Sequence, residues 1–402
     1  MPAKAQLLSK DRIVHPLEDL RPLNKVAAAA LTALGDSLSD DKVGEAVLVP
    51  HSIKVALKAL KSNLGDDAAN RLSVLNDFAG REGVIVKPKG LELQLAGGVM
   101  PLPDDFAPCL ILDASGRVRE TYSAMEAAGT LKRLPGFTAD YSRLRVHLWS
   151  RPASREAMKD DDARHSVLHA AATLIASQGD DEEWLIVHPK ERAGESHSVT
   201  EELRGLVSNH ERLSFLHWGN HHGTNQYRHI RRVIVLGLWR QPDTAYSALH
   251  IASGGPLDLA TDGEVMKAMK AGEHRHHLLQ AICRASVRNG TDGGQCGECE
   301  AYVIDGLRDA PALLQETFPG ASVTPWLPEG EPLPRGVSGA TMAIEAELQA
   351  TGGKVSKAAI CARLGITGEA LRKTIKAPEF VEWIDRNGLE VTTRAFALRQ
   401  AA

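Results

Sequence analysis

The sequence predicts an α/β protein: a largely parallel sheet flanked by helices, preceded by a mostly helical region and followed by a small helical module. Three observations carry that expectation. From about residue 126, short apolar runs alternate with amphipathic stretches, the rhythm of βαβ units. Residues 24–80 repeat apolar positions three and four apart, which is helical spacing. Beyond residues 319–337, which hold five prolines, the spacing is helical again. The expected divisions are 1–125, a helical region; 126–318, the α/β domain; 319–337, a stiff proline-rich linker; and 338–402, the C-terminal module.

Taken in order, NKVAAAALTALGDSL and SIKVALKALKSNL are the first helices. GVIVKP and LELQLAG are β-like, and CLILDASG suggests a buried strand, Cys109–Asp113, ending in an acid. LRVHLWS, WLIVHP, LSFLHWG, RRVIVLGLW and AYVID are strand candidates. ARHSVLHAAATLIAS and SVTEELRGLVSN are the helices between them, the second opened by a Ser or Thr cap. A long helix is expected from Asp262 through Arg288. In a parallel sheet, reactive residues are expected at the carboxyl ends of strands.

Composition narrows the function. Of 402 residues, 43% are apolar and 24% charged, as in a globular protein with real cores. The net charge of −4, from 47 basic and 51 acidic side chains, excludes a uniformly basic nucleic-acid binder, so any such surface must be local. Five scattered cysteines do not make a disulfide scaffold. No segment has the run of about 20 apolar residues that spans a membrane, and MPAKAQLLSKDRIVHPLEDLRPLNK has no signal-peptide core. The expectation is a cytoplasmic protein with no membrane partner.

Four stretches could carry chemistry. In LLQAICRASVRNG, helical spacing puts Gln280, Arg284 and Arg288 on one face. Paired guanidinium groups suit phosphate recognition, although the same pattern also makes an ordinary solvated basic face. In LSFLHWGNHHGTNQYRHIRRVIVLG, His217, Trp218, Tyr227, Arg228 and Arg231 mix cations with aromatic rings, as a single-stranded nucleic-acid groove does. There Gly223, Thr224 and Asn225 could bring backbone amides close to a phosphate. Cys296-Gly-Glu-Cys299 is one cysteine pair. Zinc usually needs two such pairs, so one of His274, His276 and His277 upstream would have to complete the set; no metal site is expected, and a turn into the next strand is the simpler reading. Finally, SKAAICARLGITGEALRKTIK has helix-turn-helix spacing, with Thr367 as a cap and Arg372, Lys373 and Lys376 exposed. LEVTTRAFAL could form a wing, and this stretch resembles small winged-helix DNA-binding modules; a helical hairpin for protein contact is the alternative.

The order of these elements resembles the second RecA-like domain of superfamily 1 and 2 helicases, over roughly residues 105–305. Such domains place an HGTN-type loop before a VIVLG-type strand and then a helix bearing Q-x-x-G-R-x-x-R. Gln280 and Arg284 match that motif; Cys283 replaces its glycine, and Arg288 falls one residue late. CLILDAS resembles the Asp-Ala-Thr element that ends a first motor domain, with Ser115 for Thr. The resemblance implies an arginine-finger role for Arg284 or Arg288. It also implies an ATP and Mg site shared with a partner domain.

The front half of a motor is missing. The only Gly-Lys pair, Gly353-Lys354, has Leu348 and Val355 where a phosphate loop needs Gly and a hydroxyl. The implied function is therefore one component of an ATP-dependent helicase or translocase, inactive alone. Its partners would be DNA or RNA and a P-loop chain, or a missing first half within which residues 1–125 could be a remnant. The alternative is a non-catalytic DNA-binding or regulatory protein on the same scaffold.

Overall fold

The computed structural model describes residues 4–9, 25–54, 77–90, 92–99, 108–191, 197–291, 293–328 and 335–399. The chain forms two compact units: residues 1–137 with 240–276, and residues 138–239 with 277–402.

The first unit is built on β1 (Lys4–Ser9), α1 (Lys25–Ser37), β2 (Ala46–Leu48), β3 (Glu82–Val86) and β4 (Gln94–Val99). The four strands pair antiparallel in the order β1-β4-β3-β2. Alternation along β3 sets the two faces. Ile85 packs with Leu31, Leu34 and Phe78, while Val84 and Val86 pack with Ala248 and Ala260. The expected mostly helical region thus contains a sheet with both faces covered. Residues 55–76, which hold most of the second expected helix, lie outside the described residues.

The expected strand at Cys109–Asp113 has no strand pairing among the described residues, and Leu110 and Leu112 are 71% and 90% exposed. Asp113 instead closes a turn before α2 (Glu120–Ala127). It accepts hydrogen bonds from the Ser115 amide (2.8 Å), the Ser115 hydroxyl (2.7 Å) and the Tyr122 hydroxyl (2.7 Å). Burial raises the Asp113 pKa, but these bonds outweigh it and hold the carboxyl below its usual range.

The second unit opens with β5 (Leu144–Trp149), α3 (Asp161–Ala176), β6 (Trp184–His188), α4 (Val199–Leu206), β7 (Leu213–His217) and β8 (Arg232–Leu236). The chain then contributes α5 (Asp243–Ala252) and the first part of α6 (Gly263–Ile282) to the first unit, so a single boundary near residue 125 misses this return. It continues in the second unit through β9 (Cys299–Ile304), α7 (Ala310–Thr317) and β10 (Ser322–Pro325). Six strands form one parallel sheet, ordered β10-β5-β9-β8-β6-β7 and flanked by helices. All five residues of β6 are buried, which is why WLIVH reads as a continuous apolar run. Val167, Leu168, Ala171 and Ile175 of α3 cover Trp184, Ile186 and Ile304.

Two expectations change here. The proline-rich stretch is not all linker: Ser322–Pro325 is an edge strand on β5. An edge tolerates a proline because one row of ladder donors is not needed there. The long helix also ends early, at Ile282. Arg284 and Ala285 donate three residues back, to Ala281 and Ile282, which tightens the last turn. Ala285 is then extended (φ −83°, ψ −168°), and Arg288 lies in a separate 3-10 turn, Ser286–Arg288. Gln280, Arg284 and Arg288 therefore do not share one helix.

The chain ends in α8 (Arg335–Thr351), β11 (Lys354–Ser356), α9 (Lys357–Leu364), α10 (Gly368–Ile375), α11 (Pro378–Arg386), β12 (Leu389–Val391) and β13 (Ala395–Leu398). The strands pair antiparallel in the order β11-β13-β12, over a core that includes Ile344, Ile360, Leu371, Phe380 and Phe396. Thr367 caps α10 through the Ala370 amide at 3.2 Å, and Gly365 (φ 63°) ends α9 in the left-handed conformation. Helix α11 stands where the sequence reading has none. Among the described residues, no helix is long and apolar enough to cross a membrane.

Candidate functional site

The histidine-rich loop, residues 218–231, joins the carboxyl end of β7 to the amino end of β8. Trp218 anchors it. The Trp218 amide donates to His188 O (2.9 Å) and its indole N–H to Gly237 O (2.9 Å), and the residue is 5% exposed. Trp218 is therefore a core residue and not the base-stacking platform expected. Its hydrophobic body and single donor are both spent inside the fold. His217 is half-buried, with Nδ1 3.0 Å from Trp218 O.

The far end of the loop is stitched to the turn after α6. The Ser286 amide donates to Ile230 O (2.9 Å), and Asn289 Nδ2 to Arg228 O (2.7 Å). Behind that turn runs Cys296-Gly-Glu-Cys299. A Cβ on Gly297 would lie 2.0 Å from Ser286 O, so the backbones touch there only because the residue is glycine. Burial pushes the Cys283 and Cys299 thiols up to about 12, which keeps them protonated. The cysteine pair is a packed entry into β9.

This stitching brings both arginines to the HGTN turn. Arg284 donates from Nε to Gln280 O (2.9 Å), from Nη1 to Thr224 O (2.9 Å) and from Nη2 to Gln280 Oε1. Arg288 donates to Thr224 O (3.5 Å) and to Asn225 Oδ1. All these acceptors are neutral. Among the described residues, no carboxylate pairs with either guanidinium. Burial, and then the charge of Arg288, lower the pKa of Arg284 from its ordinary value. The pair is thus an unneutralised double positive charge, half-buried at Arg284 and exposed at Arg288.

Gly223 is exposed in the left-handed region (φ 77°) and gives the turn its bend. The turn presents the Thr224 carbonyl to the arginines, where the sequence suggested an amide cradle. The pair stands at the amino rim of β8 and β9, because Ser286 between the two arginines bonds to Ile230 O just before β8 (2.9 Å) and to Glu298 O just before β9 (2.6 Å). The expectation of carboxyl-end chemistry is corrected for these two residues. Tyr227 is half-buried, and Arg228 and Arg231 are exposed beside it. On α10 and just past it, Arg372, Lys373 and Lys376 are exposed. Lys373 has Glu369 at 3.8 Å, a surface pair of little energy.

One buried network has no signature in the sequence. In the first unit, His276 Nδ1 lies 2.7 Å from the buried Ser115 hydroxyl and completes the Asp113 network. The only forewarning is the His density of EHRHH, which carries no spacing rule. The chain matches no protein-family model. No curated protein is significantly similar to it.

Proposed function

We propose that this chain is the arginine-finger component of an ATP-dependent nucleic-acid helicase or translocase, on a RecA-like parallel sheet followed by a winged-helix module. One observation carries the reading: Arg284 and Arg288 converge on the HGTN turn with only neutral acceptors among the described residues. Two close guanidinium charges without a carboxylate suit a polyanion, and a triphosphate with magnesium is such a ligand. In this role Arg284 and Arg288 exchange the Thr224 carbonyl for phosphoryl oxygens. They then stabilise the negative charge that develops there. Gln280 holds the Arg284 fork in position. The phosphate cradle has to come from a P-loop chain or segment.

Exposed Arg228, Arg231, Arg372, Lys373 and Lys376 supply phosphate contacts to DNA or RNA without reading bases. With Trp218 in the core, Tyr227 is the one remaining stacking candidate of that loop. Support for the winged-helix reading is the capped α9-turn-α10 pair followed by the β12–β13 hairpin. The same exposed cations also favour a second reading, a non-catalytic DNA-binding protein.

The two part on turnover. The chain alone should hydrolyse Mg·ATP no faster than buffer. Co-expression with a P-loop subunit from a neighbouring reading frame should restore hydrolysis. Arg284→Ala should then remove it while DNA affinity stays within about twofold. Equal loss of both would go against the finger assignment, and no turnover with any such subunit favours the binding protein.

A further inference from the structure

We propose that His221, His222 and His277 form a binding site for one late first-row divalent cation of the zinc class. One ring nitrogen from each residue lies within 4.8 Å of the other two. His221 Nε2 and His277 Nδ1 are 3.2 Å apart. Two nitrogens bound at about 2.05 Å to a tetrahedral zinc stand about 3.3 Å apart, so this spacing already matches a metal bite. The third imidazole comes from the adjacent residue: the His222 ring lies 3.9 Å from that of His221. Gly219 (φ 99°) and Gly223 (φ 77°), both left-handed, bracket the two histidines and fold the loop over α6.

The surroundings suit a cation held by neutral ligands. His221 is 0% and His277 5% exposed, and Trp239 covers His277 at 4.4 Å between ring centroids. His222 is exposed and leaves a solvent-facing side, where water can complete four-coordination. Three imidazoles favour zinc, copper or nickel over the hard cations that seek oxygen. Without metal, the Gly219 amide donates to His221 Nδ1 (3.1 Å), so the ring proton sits on Nε2 and points to His277. Coordination exchanges that hydrogen bond for two metal bonds. The His221 proton moves to Nδ1, and the amide of exposed Gly219 turns to water.

No spacing rule in the sequence joins these three residues, because His221 and His277 are 56 residues apart. The three histidines share no side chain with the arginine pair. A bound cation would pin the loop that carries Thr224 and Asn225 to α6.

A second pair of imidazoles provides the control. His165 and His169, four residues apart and exposed on α3, have Nε2 atoms 2.8 Å apart. The full chain is titrated with Co2+, read by its visible absorption, and with Zn2+ against a chromophoric chelator. One equivalent should bind in the wild type and in His165→Ala. In His222→Ala, or in His222→Gln if the first melts early without metal, binding should weaken roughly 10-fold or more. Zn2+ should raise the melting temperature of the wild type and not of the His222 variant. Three results overturn the site: no saturable binding in the wild type, affinity unchanged at His222, or loss of the equivalent in His165→Ala.

Discussion

Two arginine clusters of the second unit differ in what faces them. On the sheet, Glu300 of β9 stands in register with Arg145 of β5 and Arg232 of β8. It accepts from Arg145 Nη2 at 2.7 Å and from Arg232 Nη1. Glu182 adds a second contact to Arg232 at 3.3 Å. At the turn after α6, Arg284 and Arg288 meet only neutral oxygens among the described residues. A neutralised cluster joins strands, whereas an unneutralised one keeps its positive charge uncompensated. The difference lies in partners and not in residue type.

The comparison breaks most visibly at Gly297, which lies against the turn after α6 and just before β9. Gly297→Ala drives a Cβ into Ser286 O, and overpacking of this kind costs about 1–3 kcal/mol. The variant should melt earlier and also bind polyphosphate more weakly, because the turn carrying Arg288 has to shift. Unchanged melting would show that the contact relaxes freely.

Next in size is the neutralised cluster. Glu300→Gln should lose about 1–2 kcal/mol by denaturant unfolding, after allowance for the half-exposed Arg145. Burial raises the Glu300 pKa, but Arg145 and Arg232 outweigh it and hold it below the ordinary 4.5. A depressed carboxyl pKa contributes stability above the ordinary value, lost as pH falls through the folded one. The gap between wild type and Glu300→Gln should therefore be full at neutral pH and close on acidification below 4.5. A gap independent of pH would mean that packing, not charge, is at stake.

Smallest in stability is Arg284→Ala, expected within about 0.5 kcal/mol of wild type. Removing it relieves repulsion with Arg288 and gives up hydrogen bonds to neutral acceptors. A loss as large as that of Glu300→Gln would make the two clusters alike and end the distinction.

Much of this was legible in the sequence, for definable reasons. β6 and β8 are apolar runs bounded by polar loops, and a buried parallel strand has that signature. Thr367 and Gly365 mark their helix ends by local chemistry. What failed depended on distant partners. KAQLLS became β1 only by pairing with β4, and SVTP became an edge strand only by lying on β5. Leu110 and Leu112 are apolar enough for a strand but stay 71% and 90% exposed. The arginines were singled out by the right local pattern, but on a helix face the structure does not have. His221 and His277 are 56 residues apart and share no spacing rule.

The most direct test is tripolyphosphate binding to the full chain at low salt, by calorimetry. It compares wild type, Arg284→Ala/Arg288→Ala and Arg145→Ala. The account predicts that the wild type and Arg145→Ala bind alike and that the double variant binds roughly 10-fold or more weakly. Equal binding by all three, or a loss confined to Arg145→Ala, would contradict it.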